Sequence, residues 1–173
     1  MINEDNVVYR EIQSFRQIWL WALILGLTVV MWYGFFEQIV FSRSFGNRPV
    51  SNDVLIILWW LFGILFPWFF YKLRLVTLVK NDGIYVRFIP FQFSFCHFPI
   101  GELQQYEDRV YEPIREYGGW GLRCGGQGRA YNVSGNEGIQ LVLTNGSRVL
   151  IGTQNSRAFL HAINQIVGQN KSD

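Results

Sequence analysis

The side chains that could carry out chemistry are few. The chain has two cysteines and two histidines: Cys96, Cys124, His97 and His161. A metal site needs three or four such ligands converging, usually announced by short repeated spacings, and none of these residues has a partner at such a spacing. A nucleophilic dyad between Cys124 and either histidine stays open, although nothing is set to orient it. Glu107, Asp108, Glu112 and Glu116 form an acidic cluster with Arg109 and Arg115 interleaved. General acid and base work needs two carboxylates facing one cleft with separated pKa values, whereas mixed signs at this density read as a solvated face with screened ion pairs. The expectation is a protein that is not an enzyme and holds no cofactor and no metal.

The most conspicuous polar stretch is Gly118-Gly-Trp-Gly-Leu-Arg-Cys-Gly-Gly-Gln-Gly-Arg129. No helix opens directly after the glycines and no Gly-Lys-Ser or Gly-Lys-Thr occurs, so neither a P-loop nor a dinucleotide fingerprint fits. One reading is a long connection whose glycines mark bulges where a sheet turns a corner. The other is a binding loop, where backbone amides, Arg123, Arg129 and the Trp120 ring meet a partner. As a binding loop it suits a protein surface, with Trp120 as anchor and Arg123 beside it.

Whatever these residues do, two apolar runs decide where they do it. Gln17 to Phe36 and Val54 to Tyr71 contain no charged residue. Each is long enough to cross the roughly 30 Å hydrocarbon layer as a helix. A core helix of a soluble protein keeps a polar stripe, and both runs are apolar all round. Trp19, Trp21, Trp32, Tyr33, Trp68 and Tyr71 lie towards the ends of the runs, at the level that amphipathic rings prefer; Trp59 and Trp60 lie deeper. The first run is too long for a signal-peptide core and is followed by no small-residue cleavage site, so it is expected to persist. Pro67 lies in the last part of the second run, where it removes a helical hydrogen bond and leaves a carbonyl to find another partner. Within the spans only Gly26, Gly34 and Gly63 allow close backbone approach, and no Gly-x-x-x-Gly pair supports tight self-dimerisation.

This divides the chain into an N-terminal tail and two-helix transmembrane hairpin, 1–71, and a second domain, 72–173. Arg10, Arg16, Lys72, Arg74 and Lys80 flank the outer ends of the hairpin, against Arg43 and Arg48 in its loop. That bias places both termini and the second domain in the cytoplasm. Both cysteines are then expected as free thiols. Asn132-Val-Ser134, Asn145-Gly-Ser147 and Asn170-Lys-Ser172 fit the glycosylation pattern by chance.

The second domain reads as mostly β. Strand formers run from Leu73, Asn81-Asp-Gly83 makes a tight turn, and Ile84 to Phe88 returns. Gly138 to Leu143 and Arg148 to Gly152 form another hairpin about Asn145-Gly146, which suits a type I′ turn. Less regular strands are expected at Phe93 to Phe98, Gln104 to Tyr111, Trp120 to Cys124 and Ala130 to Val133. Asn155 or Ser156 then caps a helix whose apolar stripe is Phe159, Leu160, Ile163, Ile166 and Val167, with Gly168 ending it.

Lys80-Asn-Asp-Gly-Ile-Tyr-Val-Arg-Phe-Ile-Pro90, Phe98-Pro-Ile-Gly-Glu-Leu103, Arg115-Glu-Tyr-Gly-Gly-Trp-Gly-Leu-Arg123, Ala130-Tyr-Asn-Val-Ser-Gly135, Gly138-Ile-Gln-Leu-Val-Leu-Thr-Asn-Gly146 and Leu150-Ile-Gly-Thr-Gln154 resemble bacterial pleckstrin-homology-like (PH-like) domains attached to a pair of transmembrane helices. The resemblance spans essentially the whole chain. It implies an α+β protein: a transmembrane hairpin followed by a bent sheet or barrel of about seven strands capped by the C-terminal helix. Phosphoinositide-binding members carry a Lys and Arg cluster on the first hairpin; here that hairpin offers only Lys80 and Arg87, which argues against such a pocket.

Residues 72–173 carry a net charge of +3 with no basic block, too weak a field to point to nucleic acid. The second run enters the first strand with almost no linker, which suits docking of a neighbour better than capture of a diffusing substrate. The expected function is a membrane-anchored interaction or scaffold module, either an accessory subunit of an inner-membrane complex or a homo-oligomer. The alternative is sensing of anionic lipid through Lys72, Arg74 and Lys80. A membrane enzyme or transporter ranks last, because neither span holds an ionisable residue.

Overall fold

A computed structural model describes residues 6–125 and 128–170. Of the residues named above, Gly126, Gln127, Lys171 and Ser172 lie outside the described residues. The chain forms two compact units: Phe15–Lys72, and the segment up to Ser14 together with Leu73 onwards. The architecture is α+β, with two long apolar helices and two sheets of four and five strands.

The apolar unit contains helices over Ile18–Val40 and Asn52–Lys72, both long and apolar enough to cross a membrane. In the first, α1 (Ile18–Phe35) runs into a π-helical turn at Phe36–Val40. The second is α2 (Asn52–Leu58), a π-helical segment (Trp59–Leu65) and α3 (Phe66–Lys72). The wide turns immediately precede Pro67, whose ring cannot donate to the carbonyl four residues back. That carbonyl, Gly63 O, accepts a hydrogen bond from the Trp32 indole Nε1 at 3.2 Å. Trp32 and Phe35 also pack on Trp59, with ring centroids 5.1 and 4.3 Å apart. The deep position of Trp59 thus serves helix pairing. Thr28 turns its hydroxyl back to Ile24 O at 2.8 Å, satisfying a polar group inside an apolar helix.

The β unit starts earlier than the sequence suggests. Val7–Ser14, read above as part of a tail, is strand β1, paired antiparallel with β2 (Arg74–Lys80). β3 (Gly83–Ile89) and β4 (Cys96–Pro99) complete the first sheet in the order β1-β2-β3-β4. The second sheet, order β5-β8-β9-β7-β6, holds β5 (Leu103–Val110), β6 (Gly121–Gly125), β7 (Gly128–Asn132), β8 (Glu137–Leu143) and β9 (Arg148–Gly152). The described residues therefore form nine strands in two sheets and no closed barrel, where about seven strands in one bent sheet or barrel were expected.

Local chemistry explains the remaining departures. Gln92 folds the chain back after β3, its Oε1 accepting from Phe88 N at 2.9 Å while its own N donates to Phe88 O at 2.8 Å. β4 consequently begins at Cys96 and not at Phe93. Between β8 and β9 only Gly146 takes a positive φ, of 79°, so the turn is not type I′. Asn145 instead accepts Ser147 N through its side chain at 2.9 Å. A short helix, α4 (Pro113–Tyr117), begins with proline at its first position and closes on left-handed Gly118.

The terminal helix α5 (Ser156–Asn170) is capped by Asn155, whose Oδ1 accepts Ala158 N at 3.1 Å. It continues two residues beyond Gly168 and buries Phe159, Ala162, Ile163 and Ile166. That stripe packs on β1 and β2 of one sheet and β5 and β8 of the other. With it are buried Leu75, Val79, Ile84, Val86 and Phe88 from the first sheet and Ile139, Leu141, Leu150 and Ile151 from the second.

Candidate functional site

β2 alternates faces, so Leu75, Thr77 and Val79 turn into the core and Arg74, Val76, Leu78 and Lys80 turn to the other side. The register sets Arg10 opposite Leu78, Ile12 opposite Val76 and Ser14 opposite Arg74 on one flank; Arg87 opposite Val76 and Ile89 opposite Arg74 on the other. Apart from Ser14, these side chains, with Val7 and Phe95, line a groove of about 370 Å³ on the outer face of the first sheet. Three arginines border it and no carboxylate is among the described residues that line it. The Arg87 guanidinium lies 4.5 Å over the Phe95 ring, and its buried Nε has no hydrogen-bond partner among the described residues.

The cations expected to meet lipid are divided. Arg74 is exposed at the start of β2, while Lys80 is only 8% exposed at its far end, with its Nζ 5.6 Å from the Tyr85 ring. Six strand steps put them roughly 20 Å apart, too far for one headgroup. Lys72 is exposed at the end of α3, its Nζ 6.0 Å from the Tyr71 ring. Arg10 and Arg87 were not foreseen beside Arg74, because only the pairing of β1 and β3 with β2 brings them there.

The Gly-rich stretch is largely β6, the following β7 and the turn before them. Trp120 is half-buried, its indole donating to Gly135 O at 3.0 Å, and Arg123 Nε donates to Trp120 O at 3.2 Å. Trp120 and Arg123 are thus together. Arg123 pairs with Ala130 and Arg129 with Cys124, so Arg129 projects from the opposite face of the ribbon. β6 is the outer strand of its sheet and Leu122, Arg123 and Cys124 are exposed on it.

Glu112 and Glu116 of the acidic cluster are engaged in local bonds. Arg109 Nη2 lies 2.6 Å from Glu116 Oε2, Glu116 Oε1 accepts Glu112 N at 2.8 Å, and Arg115 is 3.5 Å from Glu112. His97 stacks on Tyr85 at 4.2 Å and its Nε2 is 3.7 Å from Asp82 Oδ2; the Tyr85 hydroxyl donates to the same carboxylate, which pushes its pKa up to about 12. Cys96 Sγ takes hydrogen bonds from Gln92 Nε2 at 3.1 Å and the Tyr131 hydroxyl at 3.4 Å. Cys124 is on β6, apart in the topology from β4 with His97 and α5 with His161. Among the described residues no group of three or more His, Cys, Asp or Glu side chains is set to hold a metal. Asn132 is fully buried, its Oδ1 accepting Gly121 N at 2.8 Å, so it is no sugar acceptor in this fold.

No curated protein and no solved structure matches the chain. The profile of one family, described as a family of unknown function (DUF6141), matches residues 2–169, and the chain belongs to that family.

Proposed function

We propose that this chain is an integral protein of a bacterial inner membrane, with both termini cytoplasmic, that carries a PH-like unit as a non-catalytic interaction module. It serves as an accessory subunit of a membrane complex or as a scaffold built from its own copies. The observation that carries this reading is the pairing of Ser14 with Arg74. The chain leaves the β unit from one strand and returns into its neighbour, through Phe15 to Gln17 and through Leu73 alone. Two short tethers at one strand end hold the β unit far more tightly than a single flexible linker, and a module so restrained meets neighbours in the membrane more readily than diffusing substrates.

Two further facts support the membrane assignment. Only 11% of each apolar window is buried, whereas a soluble core helix is mostly covered. Ile18, Leu23, Val29, Ile57 and Trp60 are all exposed on those helices, a large apolar surface that lipid would cover. Arg123 on the outer strand of the second sheet and Trp120 just before it are the partner contact, with Arg129 reaching a second face.

The test is extraction of the full chain in a mild detergent followed by sizing and cross-linking. A stable assembly larger than the monomer, weakened by Arg123→Ala and Trp120→Ala, is expected. A monomer that cross-links to nothing overturns the reading.

A further inference from the structure

We propose that the 90–95 loop and the arginine-bordered groove beside it form an interfacial contact with anionic phospholipid. Phe91 and Phe93 sit among the headgroups, and Arg10, Arg74 and Arg87 take the phosphates. The inference rests on the membrane reading above and gives its lipid alternative a definite site.

Three observations converge. Phe93 is 94% exposed and Phe91 59% exposed, two large rings held outward on a loop of six residues between β3 and β4. Water is a poor solvent for them, and aromatic rings favour the headgroup layer. The register then fixes where that loop lies. Ser14 pairs with Arg74 and Arg74 pairs with Ile89, so the loop leaves the sheet at the end where the chain passes to and from both apolar helices. Hairpin turns at the other end, such as Asn81-Asp82, carry no comparable rings.

Charge selects the lipid. The groove has an apolar floor that includes Val76 and Leu78 and a border of three arginines, with no carboxylate among the described residues lining it. Arg87 is held by its stack on Phe95, so its planar fork is oriented before a ligand arrives, as bidentate recognition of a phosphate requires. Phe95 joins the groove to the aromatic loop, giving one surface that is apolar at its tip and cationic behind it. A protein partner would be expected to present carboxylates to such a surface; the continuity with the membrane-linked strand ends favours lipid.

The experiment uses the full chain carrying Cys96→Ser and Cys124→Ser, with a nitroxide attached through Phe93→Cys or, as reference, Leu25→Cys in the first apolar helix. Each is placed in nanodiscs of equal parts phosphatidylcholine and phosphatidylglycerol, and label accessibility to oxygen and to a water-soluble nickel chelate is compared. The label at position 93 is expected to favour oxygen, at headgroup depth, and the label at 25 to favour oxygen more strongly. Arg10→Gln/Arg74→Gln/Arg87→Gln should lower the docked population roughly fivefold per arginine removed, and Arg74→Gln alone, at an exposed strand end, should move it the same way. Nickel access at 93 with lipid depth at 25 overturns this inference alone. Nickel access at both positions overturns the membrane reading with it. Protection from both reagents at 93 identifies a protein contact, and unchanged depth in both arginine variants removes the headgroup role; either overturns the proposal.

Discussion

Ser14 and Arg74 stand opposite each other at the open end of the β1–β2 pair. The first apolar helix begins at Ile18 and the second ends at Lys72, so the hairpin is an excursion between two neighbouring strands of one sheet. Deleting residues up to Ser14 therefore removes an edge strand and exposes the flank of β2. The truncated chain is expected to lose protease resistance throughout residues 73–170 while its apolar helices stay protected in detergent. Unchanged digestion of the β unit would show that β1 is dispensable.

Glu11 explains why that strand is held so firmly. Its Oε2 accepts the Thr153 hydroxyl at 2.6 Å and the Tyr9 hydroxyl at 2.7 Å, and its Oε1 accepts Gln154 N at 2.7 Å. Gln13 adds a bond to Gly152 O at 2.7 Å, and Tyr9 stacks on Phe159 at 5.2 Å. Hydrogen bonds to a charged acceptor are the stronger kind, so Glu11→Ala is expected to destabilise the β unit by about 2 to 3 kcal/mol, with Glu11→Gln losing less. Denaturant unfolding in detergent measures it; a loss below about 0.5 kcal/mol, the scatter of ordinary surface changes, would deny the network its role.

Local signals made much of this architecture readable. Both charge-free runs became helices, Asn81-Asp-Gly83 turned the first hairpin with Gly83 at a φ of 154°, and the spacing of Phe159, Ile163 and Ile166 located the terminal helix. β1 was not readable, because its partner lies some 60 residues away and Tyr9, Glu11 and Gln13 do not advertise an inward face by hydrophobicity. Glu11 and Gln13 find their long-range partners, Thr153, Gln154 and Gly152, only across the fold. The arginine groove escaped notice for the same reason: Arg10, Arg74 and Arg87 are far apart in sequence and meet only through strand register. Lys80 and Arg74 stand at opposite ends of β2, because strand length separates residues that sequence keeps near.

Gly128 and Gly26 should respond oppositely to the same substitution. Gly128 has a φ of 104°, and a Cβ there would run into the Arg148 carbonyl, whose backbone is held by the pairing of Arg148 with Val142. Gly128→Ala is expected to destabilise the β unit by at least about 2 kcal/mol. At Gly26 an added Cβ meets nothing within 4 Å. Gly26→Ala should be neutral or stabilising by up to about 1 kcal/mol, the helical preference of alanine. Thermal unfolding of both variants in one detergent decides; equal losses would contradict the local geometry.

Trp32→Phe isolates the hydrogen bond to Gly63 from the ring packing around Trp59. The substitution keeps an aromatic ring and removes the indole donor that meets the carbonyl preceding Pro67. Side-chain bonds between helices in lipid are weak on average, so a loss under about 1 kcal/mol is expected. Pro67→Ala restores a backbone donor to that turn, and in its background Trp32→Phe should have a smaller effect. Additive losses in the double variant would mean the two groups do not share that carbonyl.

Alkaline stability should be set by buried tyrosines of the β unit. Burial pushes Tyr111 up to about 12, and burial together with the bond to Cys96 pushes Tyr131 up to about 12, against 10.0 for the free side chain. The unfolded chain therefore gives up these protons first as pH rises. Stability is full below about pH 10 and falls until the folded hydroxyls themselves ionise near 12. Replacing both residues by phenylalanine removes two of the proton losses that favour unfolding. The double variant is expected to lose stability less steeply between pH 10 and 12 than the parent, even where its stability at neutral pH is lower. Denaturant midpoints across that range give the slope directly, and parallel slopes for parent and variant would show that other groups govern the alkaline transition.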